Sequence, residues 1–93
     1  MTPDTIRAMR TIIRTRELIT QPTSWTPDSS RALIDALLNV ADTTDAARDA
    51  AENIIRVVRR IYGETVWPFN GIWTHAEALH ILDITIEDMR GAP

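Results

Sequence analysis

The chain has 93 residues, of which 44% are hydrophobic and 25% charged, with a net charge of −3 and no cysteine. That length makes one domain, residues 1–93, with a core whose net stability is of the order of 5–15 kcal/mol. The absence of cysteine excludes disulfides, thiolate chemistry and thiolate-held zinc or iron–sulfur sites. The opening Met1-Thr2-Pro3-Asp4 has neither the basic segment nor the apolar run of a secretory signal, and no apolar stretch approaches the roughly 20 residues of a membrane span, so a cytoplasmic location without membrane insertion is expected.

Thr-Pro-Asp occurs at residues 2–4 and again at 26–28, each time before a periodic apolar run. A Thr hydroxyl caps free amides, Pro suits the first helical position, and Asp favours the positive end of the helix dipole. Both triplets therefore read as helix starts. The first helix is expected over residues 3–19, with Ile6, Met9, Ile12, Ile13 and Ile19 facing the core and Gln21-Pro22 stopping it. Its other face gathers Arg7, Arg10, Arg14 and Glu17 at spacings of three and four. This stripe is either a solvated face or a cationic surface for an anion or a partner.

A second helix over residues 27–41 places Leu33, Leu37 and Val40 inward, with Ala32 and Ala36 allowing close approach. After a break at 42–44, a third helix over 45–62 has Ala47, Ala51, Ile54, Val58 and Ile61 on one stripe and reads as the central core helix. Its acids come early and its bases late, which complements the helix dipole, and Gly63 is placed to end it.

Residues 64–73 break the helical pattern. Asn70-Gly71 signals a tight turn across which Val66-Trp67 and Ile72-Trp73 could pair as a short hairpin, although Pro68 argues against a long ladder. Tyr62, Trp67, Phe69 and Trp73 crowd here, and only Trp25 lies elsewhere. Trp73 and Trp25 are expected to be structural. Trp67, Phe69 and the adjoining Asn70 are the candidate anchor of an interface, where Trp and Tyr are enriched. Thr74-His75-Ala76-Glu77 has the spacing of a capping box and starts a last helix, with Leu79, Leu82, Ile86 and Met89 buried and Gly91 ending it. The expected fold is all-α: a compact four-helix domain with an aromatic loop or short β-hairpin between helices 3 and 4.

No catalytic constellation is visible. His75 and His80 are five positions apart, on different sides of a helix, and a metal shared by His80, Asp83 and Glu87 has no other support. The three glycines are scattered, so there is no phosphate loop, and Ser24, Ser29 and Ser30 lack the context of a triad. The reading is therefore of a non-enzyme without cofactor or metal. Residues 74–90 also resemble the first helix and turn of a helix-turn-helix, but Asp83 stands where the turn usually has Gly, and Glu87 and Asp88 would repel phosphate. A nucleic-acid-associated regulator is thus the secondary expectation. The Ala-rich faces of the second and third helices leave self-association open. The Arg-rich start and acid-rich end of the chain suggest that the first and last helices lie side by side.

Several of these segments, in order, are similar to a family of small uncharacterised domains of actinobacteria and their phages. They are Arg16-Glu17-Leu18-Ile19 followed by Trp25, the run Ala32-Leu33-Ile34-Asp35-Ala36-Leu37, the Trp67 to Asn70 element, and Thr74-x-x-Glu77-Ala-Leu-x-Ile-Leu82-Asp83. The resemblance covers residues 8–89 and departs from the family pattern at Ala32 and Asp35, where that pattern has Cys and Gly. All ten basic residues are Arg, as a GC-rich coding genome favours, which fits the same origin. The resemblance implies a phage or prophage protein that binds a host protein, such as a cell-division or polar-growth scaffold, and inhibits or redirects it. The expected partner-binding residues, read from the aromatic crowding and the arginine stripe, are Trp67, Phe69 and Asn70 with Arg7, Arg10 and Arg14.

Overall fold

The computed structural model describes residues 2–21, 32–69 and 73–91, and has four helices: α1 (Pro3–Thr20), α2 (Ala32–Val40), α3 (Thr44–Tyr62) and α4 (His75–Gly91). No strand occurs among the described residues, and the all-α, four-helix expectation holds. α1 and α3 each pack against the other three helices, so the central position expected of α3 is shared.

The local start signals work as read. Thr2 is the N-cap of α1, its hydroxyl accepting from the Thr5 amide at 3.2 Å, with Pro3 in the first helical turn and Asp4 beside it. Thr43 caps α3 in the same way, accepting from the Ala46 amide at 3.0 Å. At α4 the capping box closes in both directions: the Glu77 amide donates to the Thr74 hydroxyl at 3.1 Å, and the Thr74 amide donates to the Glu77 carboxylate at 3.0 Å. Those bonds hold the Glu77 carboxyl below the usual carboxylate range. The second Thr-Pro-Asp and the expected start of the second helix at residue 27 lie outside the described residues, as do Trp25 and Ser24, Ser29 and Ser30.

The core is built from Ala8, Ile12 and Ile19 of α1, Leu33, Ala36 and Leu37 of α2, Ala47, Ala50, Ile54 and Val58 of α3, Ala78, Ile81, Leu82, Ile86 and Met89 of α4, and Phe69. Of the residues expected inward on α1, Ile12 and Ile19 are fully buried and Met9 and Ile13 are half-buried against the core, whereas Ile6 does not face the core and is 45% exposed. The buried residues of the helix are Ala8, Thr11, Ile12, Thr15 and Ile19. The threonines tolerate burial because each returns its hydroxyl to the carbonyl one turn earlier, Thr15 to Thr11 at 2.8 Å and Thr11 to Arg7 at 3.0 Å. Thr85 does the same on α4, donating to Ile81 at 2.8 Å. Ile61, expected inward at the end of α3, is 46% exposed, and Val40 is half-buried, both near helix ends where the core runs out.

α1 and α4 lie side by side, as the charge asymmetry suggested, and Arg16 of α1 holds Asp83 of α4. α4 is one unbroken helix through Asp83 to Gly91, as the capping box and Gly91 led one to expect, and the helix-turn-helix turn that residues 74–90 resemble is not formed. Asp83 supplies no glycine-like freedom there and instead spends its carboxylate on Arg16.

Candidate partner-binding surface

The end of α3 sets the geometry of the aromatic segment. Gly63 adopts φ +113° and ψ 152°, a region essentially reserved for glycine, and its amide closes the helix on the Arg59 carbonyl at 3.1 Å. The Val66 amide then bonds to the Gly63 carbonyl at 3.2 Å, turning the chain back towards the bundle. From here the side chains divide. Pro68 and Phe69 enter the core, whereas Trp67 stays outside at 41% exposure.

Trp67 is nonetheless fixed from two sides. Its ring meets the Phe69 ring edge-on, with centroids 6.1 Å apart and planes at 83°, and the Arg59 guanidinium lies over it at 5.7 Å from the centroid. Behind it, the Trp73 indole N–H donates to the Pro68 carbonyl at 2.6 Å, and the Trp73 ring packs on Tyr62 at 5.6 Å. Tyr62 and Ile61, in the last turn of α3, remain 40% and 46% exposed. Beside Arg59, an open depression is lined by Glu52, Ile55, Arg56, Arg60 and Glu64.

The three arginines at this end of α3 are not equivalent. Asp88 of α4 accepts from Arg56 at 2.6 Å and pairs with Arg60 at 2.8 Å, and its carboxyl is held below the usual carboxylate range, chiefly by the Arg60 bond. Arg59 makes no ion pair among the described residues and keeps its charge for the Trp67 face. The corner thus presents an aromatic ring, aliphatic edges and a cation side by side.

The expected site residues do not all fall here. Phe69 is 9% exposed and is a core residue, so it supports Trp67 from behind instead of serving as a second anchor. Asn70 lies outside the described residues. The Arg7, Arg10, Arg14 stripe sits on α1 and is largely neutralised within the fold. Arg7 pairs with Asp4 at 2.9 Å and lies 3.7 Å from Asp49, and Arg14 holds both carboxylate oxygens of Asp42 at 3.1 and 3.0 Å. Only Arg10 of the three is without an ion pair among the described residues. Reading the sequence missed Arg59, whose signal was its position four residues before the helix-ending Gly63 and within reach of the aromatic loop.

His75 places its Nε2 against the Ile19 carbonyl, while His80 is exposed. Among the described residues, no three His, Cys, Asp or Glu side chains are grouped so as to hold a metal ion. Among the same residues, no helix is long and apolar enough to cross a membrane. Compared with protein-family models, curated proteins and solved structures, the chain matches none.

Proposed function

We propose that this chain is a non-enzymatic protein-interaction module that docks on a partner protein through the Trp67 corner. The observation that carries the reading is a tryptophan that is two-fifths exposed yet held in place by Phe69 and Arg59. An exposed aromatic already fixed in orientation loses little side-chain freedom on binding, which is what makes such residues dominate interface energetics. On the resemblance to actinobacterial and phage domains, the partner is a host protein, for instance a cell-division or polar-growth scaffold, and the outcome of binding is its inhibition or redirection.

A protein partner is favoured over nucleic acid by how the charges are spent. Arg7 and Arg14 are engaged by Asp4, Asp49 and Asp42, Arg56 and Arg60 share Asp88, and α4 adds an exposed Glu87. A phosphate backbone requires an unspent basic surface.

The test is an affinity capture from mycobacterial lysate with wild type beside a Trp67→Ala variant, whose folding is checked by circular dichroism. One host protein recovered by wild type and lost by the variant is the expected result. Equal recovery by both would remove Trp67 as the anchor, and retention of nucleic acid alone would overturn the protein-binding reading.

A further inference from the structure

α1 is apolar on two faces. One is the buried face of Ala8, Ile12, Thr15 and Ile19; the other carries the exposed Ile6 together with Met9 and Ile13, which are half-buried and also pack against the edge of the core. On this side Ile6, Met9, Arg10, Ile13, Arg14 and Glu17 line an open groove to which no other helix contributes among the described residues. Arg10 and Glu17 are both exposed, and neither makes an ion pair among the described residues. They stand seven positions apart, two helical turns, on the same side of the helix and at either side of Ile13. The strip thus has a cation and an anion on either side of Ile13, with Met9 and Ile6 continuing it beyond Arg10.

We propose that this outer face of α1 is a self-association surface, occupied by the α1 of a second copy of the chain in antiparallel orientation. A surface with one cation and one anion placed on either side of an apolar centre is complementary to itself when turned through a two-fold axis, which is the requirement of an isologous interface. With the axis passing between Ile13 and Arg14, Arg10 of each copy lies opposite Glu17 of the other, twice. The two Ile13 side chains meet at the axis, and Ile6 of each copy lies opposite the C-terminal end of the other α1. Arg14 stays on the flank, held by Asp42 of its own chain at 3.0 Å, and so does not compete for Glu17. The length involved, residues 6–21, is about 22 Å of helix at a rise of about 1.5 Å per residue, which gives a small interface and a reversible dimer rather than an obligate one. The Trp67 corner has no part in it.

The experiment is sedimentation velocity on the full chain over a wide concentration range, with Arg10→Glu, Glu17→Arg and the double charge reversal. Because both residues are exposed and unpaired, all three variants are expected to keep the wild-type melting temperature, which is checked alongside. Wild type is expected to dimerise reversibly, each single reversal to weaken the dimer at least tenfold, and the double reversal to recover most of that loss. Trp67→Ala is expected to dimerise like wild type, so failure of the corner as a partner site and failure of the α1 face are separately visible. A wild type that stays monomeric throughout, or a double reversal no better than the single ones, would overturn the proposal.

Discussion

Arg16 of α1 and Asp83 of α4 meet in a two-point bond, the guanidinium Nε on one carboxylate oxygen and a terminal nitrogen 3.3 Å from the other. The residues are far apart in sequence, and their pairing fixes which faces of α1 and α4 adjoin. Their side chains are 39% and 48% exposed, so solvent screens most of the attraction. Asp83→Ala is expected to cost only about 0.5–1 kcal/mol, and less in high salt. A double-mutant cycle with Arg16→Ala, read by urea unfolding at low and high salt, checks both magnitude and sign. A coupling that does not shrink with salt would contradict the exposed geometry.

The phase of α1 separates two isoleucines that look alike in the sequence. Ile12 is completely buried whereas Ile6 is 45% exposed. Ile12→Ala is expected to destabilise by about 2–5 kcal/mol, as for any large-to-small change in a packed core. Ile6→Ala is expected to stay within about 0.5 kcal/mol at concentrations where the chain is monomeric. Ile54→Ala and Leu82→Ala, each fully buried, belong with Ile12. Denaturant midpoints for the four variants decide the matter, and equal effects at Ile6 and Ile12 would restore the other phase.

What the sequence makes legible here depends on range. Thr2-Pro3-Asp4 and Thr74-x-x-Glu77 act within one helical turn, so their residue types alone announce the bonds that form. On α1 the pattern places Ile12 and Ile19 inward, but it misses that Ile6 is left outside while two threonines are buried. Thr11 and Thr15 count as polar in any pattern, but their hydroxyls are satisfied inside their own helix. The split between Trp67 and Phe69 is illegible for another reason: no period governs an irregular segment, and which ring goes in depends on where the turn at Gly63 aims the chain. Arg14 with Asp42, and Arg56 with Asp88, join residues 28 and 32 positions apart, so the arginine stripe reads as free until the helices are packed.

The capping box of α4 gives a local test. Thr74→Ala removes the acceptor of the Glu77 amide and is expected to cost about 1 kcal/mol. The Glu77 carboxyl is held low by the amide and hydroxyl of Thr74, so its share of the cap is complete above the pH range of ordinary carboxyl groups and fades as pH falls through its lowered folded value. Hydrogen exchange of the first-turn amides of α4 reads this directly. Faster exchange in Thr74→Ala is the expected outcome, and unchanged protection would mean the box contributes nothing.

Asp88 supplies the clearest dependence on pH. It accepts from Arg56 and pairs with Arg60, and its carboxyl is lowered chiefly by the Arg60 bond, opposed next by burial, with the charges of Arg56 and Arg60 and the Arg56 bond lowering it further. A folded value below that of the unfolded chain, about 3.9, means that the unfolded state takes up the proton first as the solution is acidified. The stabilisation from this group is thus fully present above about pH 4 and disappears as pH falls through the folded value. Asp88→Asn is expected to destabilise by about 1 kcal/mol at pH 7, a modest figure because both arginines are more than half exposed. The gap between wild type and variant should close on acidification. Denaturation midpoints from pH 7 down to 2 test this: convergence in acid supports the ionised triad, whereas a gap independent of pH would mean that Asp88 acts through packing and neutral hydrogen bonds that Asn disrupts.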